Sequence, residues 1–244
     1  MKRAAIIALT LAVAAFLFGC THKISNRYRL TVDVETPEGV KSGSGVIDVD
    51  RRILYSWVPS TPEMRREEQF VTGEAISVDL GKRGILFVLL TCRDAKNNPE
   101  DCNALKLPER VLRRRGEVSI RPVKGQSNTD WLIEKARSVA AASGPRPVVI
   151  DDLPMMVRFG DLNDPKSVAA VDPENLAKSF GEAVKLGRVM VEMTDAPVTT
   201  GIEQKLQWLV GFKGSLAHPG REGGVRTSND LAASLGLYNF KQGG

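Results

Sequence analysis

The sequence predicts an α+β fold: a mostly antiparallel sheet from the N-terminal half, with short helices and further strands from the C-terminal half packed on it. Three observations predict it. Tyr28 to Glu35 alternate apolar and polar side chains, Ile85 to Leu90 run apolar without a break, and Trp131, Leu132, Ala136 and Val139 recur near helical spacing. The 42% hydrophobic and 26% charged content is that of a globular chain, not a disordered or collagenous one.

Taken in order, Tyr28, Leu30, Val32 and Val34 share one face of a first strand, and Arg29, Thr31, Asp33 and Glu35 the other. Thr36-Pro37-Glu38-Gly39 has the chemistry of a tight turn, so Val40 to Val49 returns as the second strand of a hairpin. Ser42-Gly43-Ser44-Gly45 within it reads as a twisted or bulged edge strand. Ile53 to Val58 is expected as a third strand, and Pro59 to Gln69 as a loop with a short helical turn. Ala75 to Leu80 alternates again, Gly81-Lys82-Arg83-Gly84 turns, and Ile85 to Leu90 suits a central strand buried on both faces.

Arg93 to Pro108 reads as loop and Glu117 to Val123 as strand. Asn128 or Thr129 is positioned to cap a helix through Ala142. Short strands are expected over Pro145 to Ile150 and Met155 to Phe159. Asp164-Pro165 and Asp172-Pro173 each read as an N-cap with proline at the first helical position, opening short helices that end near Val171 and Phe180. Gly187 to Thr194 is a strand. Thr200-Gly201-Ile202-Glu203 fits a capping box for a helix carrying Ile202, Leu206, Leu209 and Val210. The expected organisation is a signal peptide over 1–19, a tether over 20–27, one domain over 28–211 and a glycine-rich exposed arm over 212–244.

Lys2 and Arg3 precede an uncharged apolar run from Ala4 to Phe18, which is the pattern of a secretory signal peptide. The run is short for a transmembrane helix, which needs about 20 residues. Leu17-Phe18-Gly19-Cys20 resembles the lipobox of bacterial lipoproteins. That resemblance implies cleavage after Gly19, diacylglycerol on the Cys20 thiol and acylation of the new terminus. The alternative is an ordinary signal peptide with a chance cysteine. Acyl chains contribute about 0.8 kcal/mol per buried methylene, so such an anchor is effectively permanent. Thr21, where the related sorting rule places an inner-membrane aspartate, implies the outer membrane, facing the periplasm. The net charge of +5 owes two units to Lys2 and Arg3, and nucleic acid is not an expected partner.

Candidate chemistry is sparse. With 3 cysteines and 2 histidines, four-cysteine zinc sites and multi-histidine metal centres are poor readings, and no cofactor is expected. In an oxidising compartment Cys92 and Cys102 are candidates for a disulfide. Closing that loop stabilises by about 2.8 kcal/mol on the chain-entropy model; the alternative is two thiols. Ser42-Gly43-Ser44-Gly45-Val46 resembles the opening strand of trypsin-like periplasmic proteases, but no histidine lies between His22 and His218 and no Gly-x-Ser-x-Gly follows. Asp161-Leu162-Asn163-Asp164 has the start of a calcium loop without its glycine and terminal glutamate. Asp151, Asp152 and Asp161 are the carboxylates available to an acid–base hydrolase. Arg113, Arg114 and Arg115, beside Arg110, are candidate anion contacts, or else a solvated face. Trp131 and Trp208 read as core.

Two blocks resemble a group of proteobacterial proteins with no assigned activity. One runs from Tyr28 through Thr36-Pro37-Glu38-Gly39-Val40 to Val49. The other runs from Arg158 through Asn163-Asp164-Pro165, Val171-Asp172-Pro173 and Thr194-Asp195-Ala196-Pro197-Val198-Thr199 to Trp208-Leu209. The resemblance implies a shared fold and carries no catalytic residue. The expected function is that of a non-enzymatic envelope lipoprotein, anchored in the membrane through Cys20, that binds or positions another envelope protein or an anionic envelope component. A carboxylate-based envelope hydrolase is the alternative.

Overall fold

A computed structural model describes residues 21–54, 67–92, 104–119, 121–220 and 230–243. In chain order these form β1 (Thr21–Thr36), β2 (Gly39–Leu54), β3 (Glu67–Glu74), β4 (Ile76–Asp79), β5 (Ile85–Cys92), α1 (Leu107–Arg114), α2 (Asn128–Ala140), β6 (Arg146–Pro147), β7 (Pro154–Phe159), β8 (Val168–Ala170), α3 (Ala177–Phe180), β9 (Lys185–Met193), β10 (Gly214–Ser215), β11 (His218–Pro219), α4 (Leu231–Ser234), α5 (Leu237–Phe240) and β12 (Lys241–Gln242). The fold is mixed but sheet-dominated, and the described strands pair antiparallel.

Two larger sheets carry the structure, in the orders β12-β3-β2-β1-β9-β6 and β4-β5-β7-β8. Each draws strands from both halves of the chain, whereas the sequence predicts one sheet from the N-terminal half with the C-terminal strands packed on it. The inward alternation of β1 packs Tyr28, Leu30, Val32 and Val34 against Val78, Leu86, Val88 and Leu90 of the second sheet. The opposite face of β5 sends Phe87 and Leu89 into a second cluster with Phe159, Leu206, Leu209 and Phe240. β5 is thus buried on both faces, as its unbroken apolar run requires.

Gly43 and Gly45 lie where the two sheets cross. β3 pairs β2 only from Asp48 to Ile53, so at the two glycines β1 alone pairs with β2 among the described residues, an edge position as the sequence suggests. A Cβ on Gly43 would sit 2.3 Å from the Ser77 carbonyl oxygen, and one on Gly45 would sit 2.8 Å from Ile76 Cγ1. The glycines let β4 cross β2 at backbone contact.

Several expected elements take other forms. Residues 21–27, expected as a tether, are the first part of β1, paired in unbroken register with β2. β2 itself runs on to Leu54, and the rest of the expected third strand lies outside the described residues. Glu67 to Gln69, expected as the end of a loop, open β3 because β2 is long enough to pair them. Residues 107–114 form α1 where a loop is expected at its start, and Glu117 to Ser119 is not strand. Pro165–Ser167 is one 3-10 turn leading into β8, and Asp172-Pro173 precedes a turn. Both aspartates accept N–H bonds from two residues on, Lys166 at 2.9 Å and Glu174 at 3.1 Å. Asp164 thereby caps a 3-10 turn with Pro165 at its start, and α3 ends at Phe180 as expected but opens only at Ala177. The helix expected after Thr200 is two 3-10 turns, Ile202–Gln204 and Gln207–Leu209. The described part of 212–244 is packed: Phe212, Leu216, Ala232, Leu235 and Phe240 are buried over the second sheet.

Candidate functional site

A cleft of about 510 Å³ opens where β9 leaves the first sheet. β1 forms one side through Ser25, Asn26 and Arg27. The turn after α2, residues 142–144, forms the other, and Met193, Thr194 and Asp195 close the end. The sequence builds this place in three steps. β9 pairs with β1 from Lys185 to Met193, opposite Glu35 back to Tyr28. Thr194 then donates its N–H to the Arg27 carbonyl at 3.0 Å, and its Oγ1 accepts the N–H of Ala196 at 3.2 Å. That local turn, with Pro197 after it, takes the chain out of the sheet. Thr199 next exchanges bonds with Val46, its N–H reaching the Val46 carbonyl at 3.1 Å and its Oγ1 accepting the Val46 N–H at 2.9 Å.

The side chains around the cleft are mostly polar, with charge largely matched. Arg27 pairs with Asp48 at 3.0 Å and Lys23 with Asp50 at 3.2 Å. Asp195 is exposed. Asn26 is 5% exposed, and its amide Oδ1 has no hydrogen-bond partner among the described residues. A buried, unpaired amide oxygen costs about 1–3 kcal/mol, so the fold keeps this group at a cost. The far wall is braced by Arg146, whose guanidinium donates to the carbonyls of Ser143 and Gly144 and binds the Glu117 carboxylate at 2.7 Å. Gly144 holds φ +80°, a conformation that side-chain-bearing residues adopt at a cost. The bonds from Arg146, then Arg115, hold the Glu117 carboxyl below the usual carboxylate range.

A second concentration of charge lies under β2. Arg51 is fully buried and binds Glu67 at 3.0 Å and Glu109 at 3.1 Å; Lys135 binds Glu109 at 3.2 Å and sits 4.7 Å from the Trp131 ring centroid. Burial alone would raise the Glu109 carboxyl, but Lys135 and Arg51 together hold it below its usual range. Two cations and two carboxylates balance, and the group ties the hairpin to α1 and α2. This is the chemistry of a structural ion network.

The candidate residues of the sequence are scattered. Cys20, Cys102 and the side chain of Cys92 lie outside the described residues. Arg113, Arg114 and Arg115 are exposed at the end of α1. Arg114 is held by Asp152 at 2.5 Å and Asp151 at 3.9 Å, and Arg115 by Glu117 at 2.6 Å. Asp151 and Asp152 precede β7, whereas Asp161 follows it. Six strand residues at ~3.3 Å each put the two ends about 20 Å apart. Asp161 Oδ1 accepts the Asn163 N–H at 2.9 Å, which accounts for its place in a turn. His218 is exposed on β11. Trp208 belongs to an aromatic cluster and donates to the Leu162 carbonyl at 3.0 Å, and Trp131 is half-buried. Among the described residues no three His, Cys, Asp or Glu side chains are placed to hold a metal ion.

Sequence reasoning misses the cleft because it assigns 20–27 to a tether. Carrying the alternation of β1 back from Tyr28 places Asn26 and Ile24 on the inward face, a polar residue in an apolar row. No family model, curated protein or solved structure matches this chain.

Proposed function

We propose that this chain is an envelope lipoprotein without catalytic machinery, anchored through acylated Cys20, and that the cleft beside β1 holds another envelope component. The observation that carries the reading is position. β1 begins at Thr21, directly after the acylation candidate, and Ser25 already lines the cleft. At ~3.3 Å per strand residue the cleft lies within about 20 Å of the anchor. A ligand held there is held at the membrane surface. The uncharged apolar segment before Cys20 and the lipobox-like Leu17-Phe18-Gly19-Cys20 supply the anchor in this reading. The outer membrane, facing the periplasm, and a Cys92–Cys102 disulfide belong to the same proposal, as does kinship with the proteobacterial group.

The hydrolase alternative finds less support, since Asp152 is committed to Arg110 and Arg114 and Asp161 stands at the other end of β7. An anion site on the arginine cluster is likewise weakened by the carboxylates already bound to Arg114 and Arg115.

Intact mass spectrometry of membrane-extracted protein, with a photo-cross-linking residue at Ser143, tests the reading. The expected result is a chain starting at Cys20 with acyl mass, two daltons heavier after reduction, and a discrete cross-linked adduct in the envelope. An unprocessed, unacylated chain with no adduct at Ser143 sinks it.

A further inference from the structure

The lane that β9 vacates has the dimensions and chemistry of a missing strand. β9 lies between β1 and β6, so β1 and β6 stand two strand spacings apart, about 9.6 Å. β9 stops pairing at Met193 opposite Tyr28, while β1 runs on to Thr21 in register with β2. The cleft fills the vacated lane, with β1 along one side and the turn leading into β6 along the other. The Arg27 carbonyl points into it, because it accepts the Thr194 N–H. Antiparallel alternation therefore turns the backbone N–H and C=O of Ser25 and Lys23 into the lane as well. Among the described residues no strand lies beside them there.

We infer that this lane is a peptide-binding site, where an extended segment of another polypeptide adds to β1 as one antiparallel strand beside Ser25 and Lys23. This rests on the binding reading above and names the chemical class of what is bound. Main-chain hydrogen bonds supply the affinity in such strand addition, and alternate side chains supply selectivity. The Oδ1 of Asn26, without a partner among the described residues, is an acceptor for a donor on the inward side of the incoming segment. Ala140, Ala142 and Met193 line the cleft too and favour small or apolar inward residues.

Width and charge select the occupant. A second copy of this chain does not fit, because its β1 arrives bonded to β2 and the turn at 142–144 stands where that β2 would lie. A single strand fits. The sheet is antiparallel throughout, so the first residues of the segment lie near Arg27 and Asp195. Lys23 and Arg27 carry their own carboxylate partners, whereas Asp195 is exposed with no ion pair among the described residues. A basic residue near the start of the segment, followed by uncharged residues, complements that distribution.

The test is selection of a displayed library of random peptides of about ten residues, enough to span the exposed edge, on the full-length acylated protein in detergent. Two variants accompany it. Ser25→Pro removes an N–H that β2 does not use, so β1 keeps its pairing while the lane loses a donor. Ala142→Trp fills the lane from the opposite wall and leaves β1 untouched. The expected result is enriched peptides that bind both variants more than about tenfold more weakly than wild type and that slow hydrogen exchange at the Lys23 and Ser25 amides. Peptides that bind Ser25→Pro as well as wild type overturn the inference. So does an absence of enrichment above the Ser25→Pro background, or a wild-type dimer that Ser25→Pro dissolves. The cross-link at Ser143 separates the two levels of failure. If both variants retain its envelope adduct, strand addition fails and the binding reading stands. If wild type gives neither acylation nor adduct, the binding reading fails, whatever the library shows.

Discussion

The residue that most constrains the two-sheet packing is one without a side chain. At Gly43 a Cβ would meet the Ser77 carbonyl oxygen at 2.3 Å, and that oxygen belongs to backbone, which cannot swing aside as a side chain can. Gly43→Ala is therefore expected to destabilise by about 2 kcal/mol or more, the cost of overpacking a crossing that cannot relax. Urea unfolding monitored by circular dichroism reads it; a change below about 0.5 kcal/mol would mean that β4 does not press on β2. Arg51 constrains the other end of the same strand. Its guanidinium is fully buried, and Glu109, held below its usual range against the opposing effect of burial, is shared with Lys135. A carboxyl depressed in the folded state stabilises fully above its unfolded value of about 4.3 and loses that contribution as pH falls through the lower folded value. Wild type should thus lose stability below about pH 4. Glu109→Gln should be less stable at neutral pH, by about 3 kcal/mol for a broken buried pair, and should show a flatter acid limb. A stability–pH profile for the two proteins tests both, and parallel profiles would remove Glu109 from the network. None of this was legible in Arg51 alone, because a charged residue in the inward row of a strand has no sequence signal for its partners, which come from β3 and α1, or for Lys135 of α2, which shares Glu109 with it.

Among the elements, α2 shows what local pattern can and cannot specify. Its apolar spacing reports the helix, and Ile133, Ala136 and Val139 are buried as that spacing demands. The cap is one residue earlier than the expected Asn128 or Thr129: Ser127 is extended, and its Oγ accepts the Asp130 N–H at 3.1 Å. Adjacent Ser, Asn and Thr are all good caps, so only backbone conformation chooses between them. Ser127→Ala should cost about 1 kcal/mol, whereas Asn128→Ala should cost little; equal losses in thermal melts would return the cap to Asn128. The cleft depends on this helix, because the turn after it forms the far wall. β1 illustrates the opposite case. Its alternation from Tyr28 onward is plain in the sequence, yet its first seven residues carry Ser25, Asn26 and Arg27, a polar run that reads as tether. They are strand because β2 is long enough to pair them, and a long-range partner leaves no trace in the local pattern.

At the scale of the whole molecule, the C-terminal segment closes the fold. The second sheet is apolar on both faces, so one face needs a cover that the first sheet cannot give. Ile202, Leu206, Leu209, Phe212, Leu216, Leu235 and Phe240 provide it. Ile202, Leu206 and Leu209 show a helical spacing, but the chain there forms two 3-10 turns. From residue 212 on, glycine-rich composition conceals the cover, since isolated apolar residues between turns have neither helical nor strand period. Phe240 is its keystone: fully buried, its ring lies 5.9 Å from Phe159 and 5.7 Å from Trp208, and its carbonyl accepts the Ala75 N–H at 2.7 Å before β12 pairs with β3. The segment thus bridges the two sheets by backbone and side chain together. Phe240→Ala keeps the backbone bond and deletes the ring, so the loss should be that of a large buried aromatic, about 3–5 kcal/mol. It should also weaken the near-ultraviolet circular dichroism that Trp208 draws from its aromatic neighbours. Phe212→Ala removes a ring from the rim of the same cluster, 9% exposed and 5.2 Å from Trp208, and should cost less. An exposed arm would instead tolerate both changes with no shift in melting, and that outcome would detach the C-terminal segment from the fold.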